Sequence, residues 1–291
     1  MKKNSTVKFL TFIVPHFLLF VTFICIPTIY GIYASFSKWN LMSRPRWVGL
    51  ENYKAIFDPN SIFHTQFTIG LKNTLLYVVF MVPLLIIIPL LCAVALENKR
   101  VRFKGLFQGI LYLPGLVSIS AAALIWSLIF HSQLGMLSNL FGINIVWAAQ
   151  QPYAWWLIII VSLWGGIGGN MIIYRAAIAG VSKDLYESAD IDGATAFQKM
   201  MHITIPAIRF PLIYTVVMTT AGCFNVFAQP LMLTKGGPNQ TTNVLMMYIR
   251  NLAFGSGEPI AGMASAMAVL LGLIILVVSA IQYYVMNRNA N

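Results

Sequence analysis

The sequence predicts an all-α integral membrane protein with six transmembrane helices. Three observations carry the prediction. The 291 residues are 58% hydrophobic and only 9% charged, with a mean hydropathy of +0.77, whereas a soluble domain carries about 25% charged residues. Six apolar runs fall at 9–35, 71–96, 106–130, 155–177, 210–231 and 263–285, and about 20 helical residues cross the roughly 30 Å hydrocarbon core. Helices also satisfy their own backbone hydrogen bonds, which lipid cannot do.

Six crossings leave both termini on one side, and Lys and Arg near the span ends decide which. One set of segments holds Lys2, Lys3, Lys8, Lys99, Arg100, Arg102, Lys104, Arg175, Lys183, Lys199, Arg209 and Arg288, 12 of the 19 basic residues. The other set holds Lys38, Arg44, Arg46, Lys54, Lys72, Lys235 and Arg250, spread over longer loops. The bias places both termini in the cytoplasm. The net charge of +11 then expresses topology and attraction to anionic lipid. Nucleic-acid binding is not expected, because no folded domain with a basic face is visible.

Lys2 and Lys3 precede an apolar run too long for a signal peptide, with no clear small-residue cleavage site, so the run is expected to be an uncleaved first span. The outer segment 37–70 carries Trp39, Trp47, Tyr53, Phe57, Phe63 and Phe67, which suit the interface and the bundle surface. Pro83 and Pro89 predict kinks in span two. The outer loop 132–153 has no Lys, Arg, Asp or Glu and is expected on the membrane surface. In span four, Gly165 and Gly169 form a small-xxx-small pair, either for close helix packing or as a flexible point. Cys25, Cys92 and Cys223 fall inside spans and build no disulfide framework. The whole chain, 1–291, is expected to be one membrane domain.

The cytoplasmic loop 178–209 supports a residue-level reading. Asp184 can cap a short helix with Glu187 three residues on, and Leu185, Ala189 and Ile191 give it an apolar stripe. Gly193 suits a left-handed C-terminal cap. Thr195 and Gln198 form a second capping box, and Pro206 precedes span five. The expectation is helix, turn, helix, lying flat at the membrane. A loop resting on headgroups would be amphipathic too, but Asp184, Glu187, Asp190 and Asp192 would meet repulsion from anionic lipid. A basic protein partner explains them better.

This loop resembles the "EAA" element of ATP-binding-cassette importer permeases, whose pattern is Glu-Ala-Ala, three residues, Gly, nine residues, Ile, one residue, Leu-Pro. Glu187, Ala189, Gly193, Ile203 and Pro206 match in register. Ser188 stands for an alanine and Ile205 for the leucine. The fuller form of carbohydrate permeases is met by Leu185-Tyr186-Glu187 and Asp192-Gly193-Ala194, with Ser182 in place of a proline. Trp47-Val48-Gly49-Leu50-Glu51-Asn52-Tyr53, Asn73-Thr74-Leu75, Tyr112-Leu113-Pro114 and Leu233-Thr234-Lys235-Gly236-Gly237-Pro238 resemble the sugar subgroup, and the last of them resembles the maltose- and glycerol-phosphate-type "first" permease.

The resemblance implies a multi-pass inner (plasma) membrane permease that moves a sugar or oligosaccharide into the cytoplasm. It implies four kinds of partner: a second homologous permease, two ATPase subunits, an extracytoplasmic sugar-binding protein and the bilayer. Glu187 would contact a cleft of the ATPase, and Gly193 would allow the bend. ATP and Mg would sit on the ATPase subunits. This chain has no Gly-Lys dipeptide and hence no phosphate-cradling loop. No cofactor, metal site or catalytic residue is expected, since His16, His64, His131 and His202 are scattered and begin no His-Glu-x-x-His.

For the substrate pathway, Asn225 and Gln229 lie four apart in span five, on one helix face. Phe224 and Phe227 sit nearby, and Asn170 and Tyr174 make a similar pair in span four. Such polar groups usually face the bundle interior, where they contact either substrate or other helices. A permease of the same superfamily for a non-sugar solute is the alternative. An intramembrane enzyme would need a catalytic cluster that is not apparent, and a passive channel has no evident use for an acidic docking loop.

Overall fold

The computed structural model describes residue 11 and residues 13–98, 101–142 and 144–288. Lys2, Lys3, Lys8, Lys99 and Arg100, and the start of the first predicted span, lie outside the described residues.

In chain order, α1 is Ile13–Ser35 and contains one π-helical turn at Val21–Cys25. Strands β1 (Ser37–Lys38) and β2 (Arg46–Trp47) pair antiparallel. Helices α2 (Glu51–Phe57), α3 (Ile62–Glu97), α4 (Lys104–Tyr112), α5 (Ile119–Ile129), α6 (Met136–Phe141), α7 (Tyr153–Ala179) and α8 (Lys183–Ile191) follow. The next, α9, spans Ala196–Ala207. The last are α10 (Arg209–Phe224), α11 (Ala228–Leu233), α12 (Leu245–Phe254) and α13 (Ala261–Arg288).

Helices α1, α3, α7 and α13 are each long and apolar enough to cross a membrane. The other two predicted spans are not single long helices: 106–130 falls on a bent pair, and 210–231 begins with α10, the second half of a bent pair whose first half, α9, lies in the predicted loop 178–209. The helix pair Lys104–Leu116 and Ile119–Ile129 meets at 102°, and α9 meets α10 at 80°. The first bend has a local cause. A 3₁₀ turn at Leu113–Leu116 carries Pro114 near its start, Val117 is extended, and Ser118 caps α5 by accepting from the Ala121 amide.

The chain forms two units. One comprises the described residues up to Thr68 together with Tyr248–Leu273, and the other comprises Ile69–Met247 and the described residues from Ile274 on. In the first, Phe17, Leu18, Phe23 and Ile29 of α1 are all exposed. A helix apolar on every side needs lipid or another subunit around it. The outer aromatics bind one another: Phe36 stacks on Trp47 with centroids 5.4 Å apart and meets Tyr53 at 5.3 Å. Buried Asn52 donates to the Ser35 and Ser37 carbonyls at 2.8 and 3.0 Å. Gly262 donates to the Trp39 carbonyl at 3.2 Å, and a Cβ there would stand 1.9 Å from the Ser37 oxygen. The predicted outer segment 37–70 is therefore ribbon, helix and, from Ile62 on, the first turns of α3.

In the second unit, Leu90, Ala93 and Leu96 of α3 pack with Met171, Tyr174 and Ile178 of α7 and with Ile208 at the α9–α10 bend. A polar tie closes that end. Arg175 grips Glu97 Oε1 through Nε at 2.9 Å and Nη2 at 2.8 Å and bonds Gln108 of α4 through Nη1. Three helices are thus joined by one guanidinium. Helix α3 runs through Pro83 and Pro89 without a break. Pro89 has no N–H, so the carbonyl four residues back, Leu85, loses its helical donor. Asn170 Nδ2 takes that place at 2.8 Å.

The close-approach glycines are not the predicted pair. A Cβ at Gly166 would stand 2.6 Å from Leu85 Cδ2 and one at Gly168 2.6 Å from Tyr112 Cα, whereas Gly165 and Gly169 have nothing within 4 Å. Packing uses the other two glycines of the string, and Gly165 and Gly169 border open space. The motif around 234–242 is an ordered knot. Thr234 and Thr242 hydroxyls meet at 2.7 Å, and Asn73 Nδ2 donates to the Gln240 and Asn243 carbonyls at 3.0 Å each. Thr74 Oγ1 accepts from the Leu245 amide at 3.0 Å, at the start of α12.

Candidate functional site

Two sites emerge, both within the second unit. The first is a cavity of about 530 Å³ between α3, the α4–α5 bend, α7, and the end of α10 with the start of α11. It exists because α10 stops. Asn225 is the C-cap of α10 and donates from its side chain to the Ala221 carbonyl at 2.8 Å. The chain then turns at Val226–Phe227 before α11 begins. Asn225 and Gln229 therefore do not share one helix face, contrary to the periodicity argument. The break nonetheless brings both to the cavity wall, together with Asn170.

The predicted Asn170–Tyr174 pair is divided. Asn170 lines the cavity and donates to the Leu85 carbonyl and, at 3.0 Å, to Thr219 Oγ1. Tyr174 is fully buried and is bonded to Thr215 at 2.6 Å, as a packing residue. Phe227 lines the cavity, and Phe224 is buried away from it. Trp164 and Thr219 line it too and were not singled out from the sequence. Residues 165, 166 and 169 of the glycine string leave the wall without side chains. No residue lining the cavity carries a charge.

The second site is the loop 178–209. The helix cap differs from expectation: α8 begins at Lys183, and Ser182 rather than Asp184 is the N-cap, accepting from the Asp184 amide. Serine thus performs the initiating role at the position where the resembling form has proline. At the other end Gly193 has φ +72°. Ala194 N–H donates to the Ala189 carbonyl at 2.9 Å and Gly193 N–H to that of Asp190 at 3.2 Å, which is the Schellman arrangement. The Thr195–Gln198 capping box is present. Tyr186 bridges the two halves through its hydroxyl to Thr204, 3.0 Å away, and Lys199 meets Asp190 at 2.5 Å.

Leu185, Glu187, Ser188, Asp192, Gly193 and Pro206 are exposed, and Tyr186, Ala189, Ala194 and Ile203 are half-buried. Of the apolar stripe, Leu185 and Ile191 are 53% and 87% exposed and Ala189 is half-buried, and Phe197 of α9 is 66% exposed. The loop offers an outward face of apolar side chains and carboxylates. Among the described residues, no group of three or more His, Cys, Asp or Glu is placed to hold a metal ion.

Residues 70–290 match the model of the binding-protein-dependent transport system inner membrane component family. A probable ABC transporter permease, YurN of Bacillus subtilis, is 32% identical over 289 residues, covering 96% of each chain. The arabinooligosaccharides transport system permease AraP of Halalkalibacterium halodurans is 32% identical over 276 residues, 93% of this chain and 84% of that one. A solved bacterial ABC transporter involved in import of the acidic polysaccharide alginate superposes with a TM-score of 0.77 at 23% identity, covering 100% of this chain and 98% of its counterpart. At that identity the likeness speaks for the fold alone. With more than half its length in the family model and relatives above 30% identity along nearly all of it, the chain belongs to the binding-protein-dependent transport system inner membrane components.

Proposed function

We propose that the chain is a sugar- or oligosaccharide-translocating permease subunit of an ABC importer. It carries no ATPase of its own and couples through loop 178–209 to separate ATPase subunits that bind ATP and Mg. In this reading the bent pair Lys104–Leu116 and Ile119–Ile129 makes one crossing and α10 with the chain that follows it makes another, while α9 stays in the cytoplasmic loop, giving six spans; both termini are cytoplasmic, and 1–291 is one permease domain. A second homologous permease packs beside it, and an extracytoplasmic binding protein delivers the sugar. The observation that carries the reading is the loop. Two short helices, held by Ser182, the Gly193 turn and the Thr195 box, present Leu185, Glu187, Ile191 and Phe197 outward. A bistable bundle can be switched through such a lever. The cavity supports the sugar half, since amides and aromatic rings are what a sugar site needs. The arabinooligosaccharide permease among the relatives favours it as well.

The test is co-purification in mild detergent of the native chain and a Glu187→Arg, Gly193→Pro double variant. The native chain is expected to bring down an ATPase, and the variant to lose it while the membrane fold stays intact. Absence of any ATPase on the native chain, with no capture by crosslinking at Ser188→Cys, would sink the proposal.

A further inference from the structure

We infer that Pro89 sets the polarity of the cavity wall by locking Asn170, and that this wall selects neutral, hydroxyl-rich glycans over uronates. The inference rests on the sugar reading of the cavity and adds a substrate class to it. Pro89 leaves the Leu85 carbonyl without its helical donor, and a carbonyl oxygen only accepts. The Asn170 atom 2.8 Å from it is therefore the amino group. Its other N–H goes to Thr219 Oγ1 at 3.0 Å. Both donors of Asn170 are spent, and its oxygen has no donor among the described residues. Flipping the amide would set oxygen against oxygen. Asn225 is oriented the same way, because its amino group faces the Ala221 carbonyl at 2.8 Å.

Asn170 and Asn225, their amides fixed in this way, border a cavity whose lining holds no Lys, Arg or His. An amide oxygen welcomes a sugar hydroxyl, which donates. It repels an ionised carboxylate, which only accepts. Gln229 and the second N–H of Asn225 can donate, but as neutral groups, and a carboxylate leaving water needs a paired charge. The nearest basic residue along α7, Arg175, is committed to Glu97 at 2.8 Å and to Gln108. Trp164 and Phe227 supply apolar platforms for the C–H faces of a ring. Gly165, Gly169 and Gly222, with nothing within 4 Å of a built Cβ, leave the room. The chain shares its fold with an importer of an acidic polysaccharide, yet this wall has no group to neutralise one.

The experiment is equilibrium dialysis on the assembled importer in nanodiscs, without binding protein. The neutral probes are labelled arabinotriose, maltotriose and lactose, and the acidic ones are trigalacturonate and trimannuronate. At least one neutral probe is expected to bind at least tenfold more tightly than either uronate. Pro89→Ala restores the N–H that Leu85 lacks and frees the Asn170 amide to turn, so the ratio should narrow at least threefold. Asn225→Lys should raise uronate binding. Equal binding of uronate and neutral probes by the native importer, or an unchanged ratio in Pro89→Ala, overturns this inference and leaves the sugar reading standing. Binding of no probe at all removes the sugar reading of the cavity and this inference with it.

Discussion

Gly165 and Gly168 sit three positions apart on α7 and should answer an added methyl group in opposite ways. At Gly168 the new Cβ would lie 2.6 Å from Tyr112 Cα, a backbone atom that cannot swing aside. At Gly165 it meets nothing within 4 Å. Forcing a methyl into a packed contact costs about 1–3 kcal/mol. Gly168→Ala is therefore expected to lower the thermal unfolding midpoint of the detergent-solubilised protein and Gly165→Ala to leave it unchanged; equal shifts would refute the packing assignment. The sequence showed that this string of glycines mattered. It could not show which of them touch, because that depends on where α4 ends against α7. Asn170, Asn225 and Gln229 were legible as polar residues in apolar runs. Their convergence was not, because it depends on the end of α10.

At the scale of the element, the loop 178–209 was the part most open to sequence reasoning. Its shape comes from local chemistry: a cap, a left-handed glycine and a capping box, each acting within six residues. Removing the box tests that view. Thr195→Ala gives up a cap worth about 1 kcal/mol, and the amides of 196–199 should then exchange severalfold faster by hydrogen-exchange mass spectrometry, while α8 keeps its rate. The α4–α5 and α10–α11 breaks were less legible because apolar composition continues across them. Ser118 and Asn225 cap those helices, but in an apolar run they look like ordinary small polar residues. The tie of Arg175 to Glu97 and Gln108 joins residues 67 to 78 positions apart and has no local signature at all. Hydrogen bonds to charged groups contribute about 1.5–3 kcal/mol each, so Arg175→Ala should destabilise by about 2 kcal/mol. Arg175→Lys should recover only part of this, since an ammonium cannot reproduce the guanidinium fork. Denaturation of the three forms in matched detergent checks the order.

At the scale of the whole molecule, hydropathy identified every apolar run but not which runs are single helices. Length shows why. Helix α3 has 36 residues, about 54 Å at 1.5 Å per residue, far beyond a hydrocarbon core of roughly 30 Å. Each half of a bent pair is shorter than a span, so whether such a pair crosses is a question of topology. Crossing can be decided by the side on which three positions fall, the exposed Asn60 and Ser188 and the half-buried Asn287. If the first bent pair crosses and α10 with the chain after it does too, Asn60 lies outside, and Ser188 and Asn287 lie in the cytoplasm. If neither crosses, only α1, α3, α7 and α13 do, and Ser188 moves to the same side as Asn60 while Asn287 stays opposite. Cysteines at these three positions, after Cys25, Cys92 and Cys223 are replaced by serine, can be probed with a membrane-impermeant maleimide. Intact cells should label Asn60→Cys alone, and inside-out vesicles should label Ser188→Cys and Asn287→Cys. Labelling of Ser188→Cys from outside would remove the loop from the compartment where ATP is hydrolysed, and with it the coupling role.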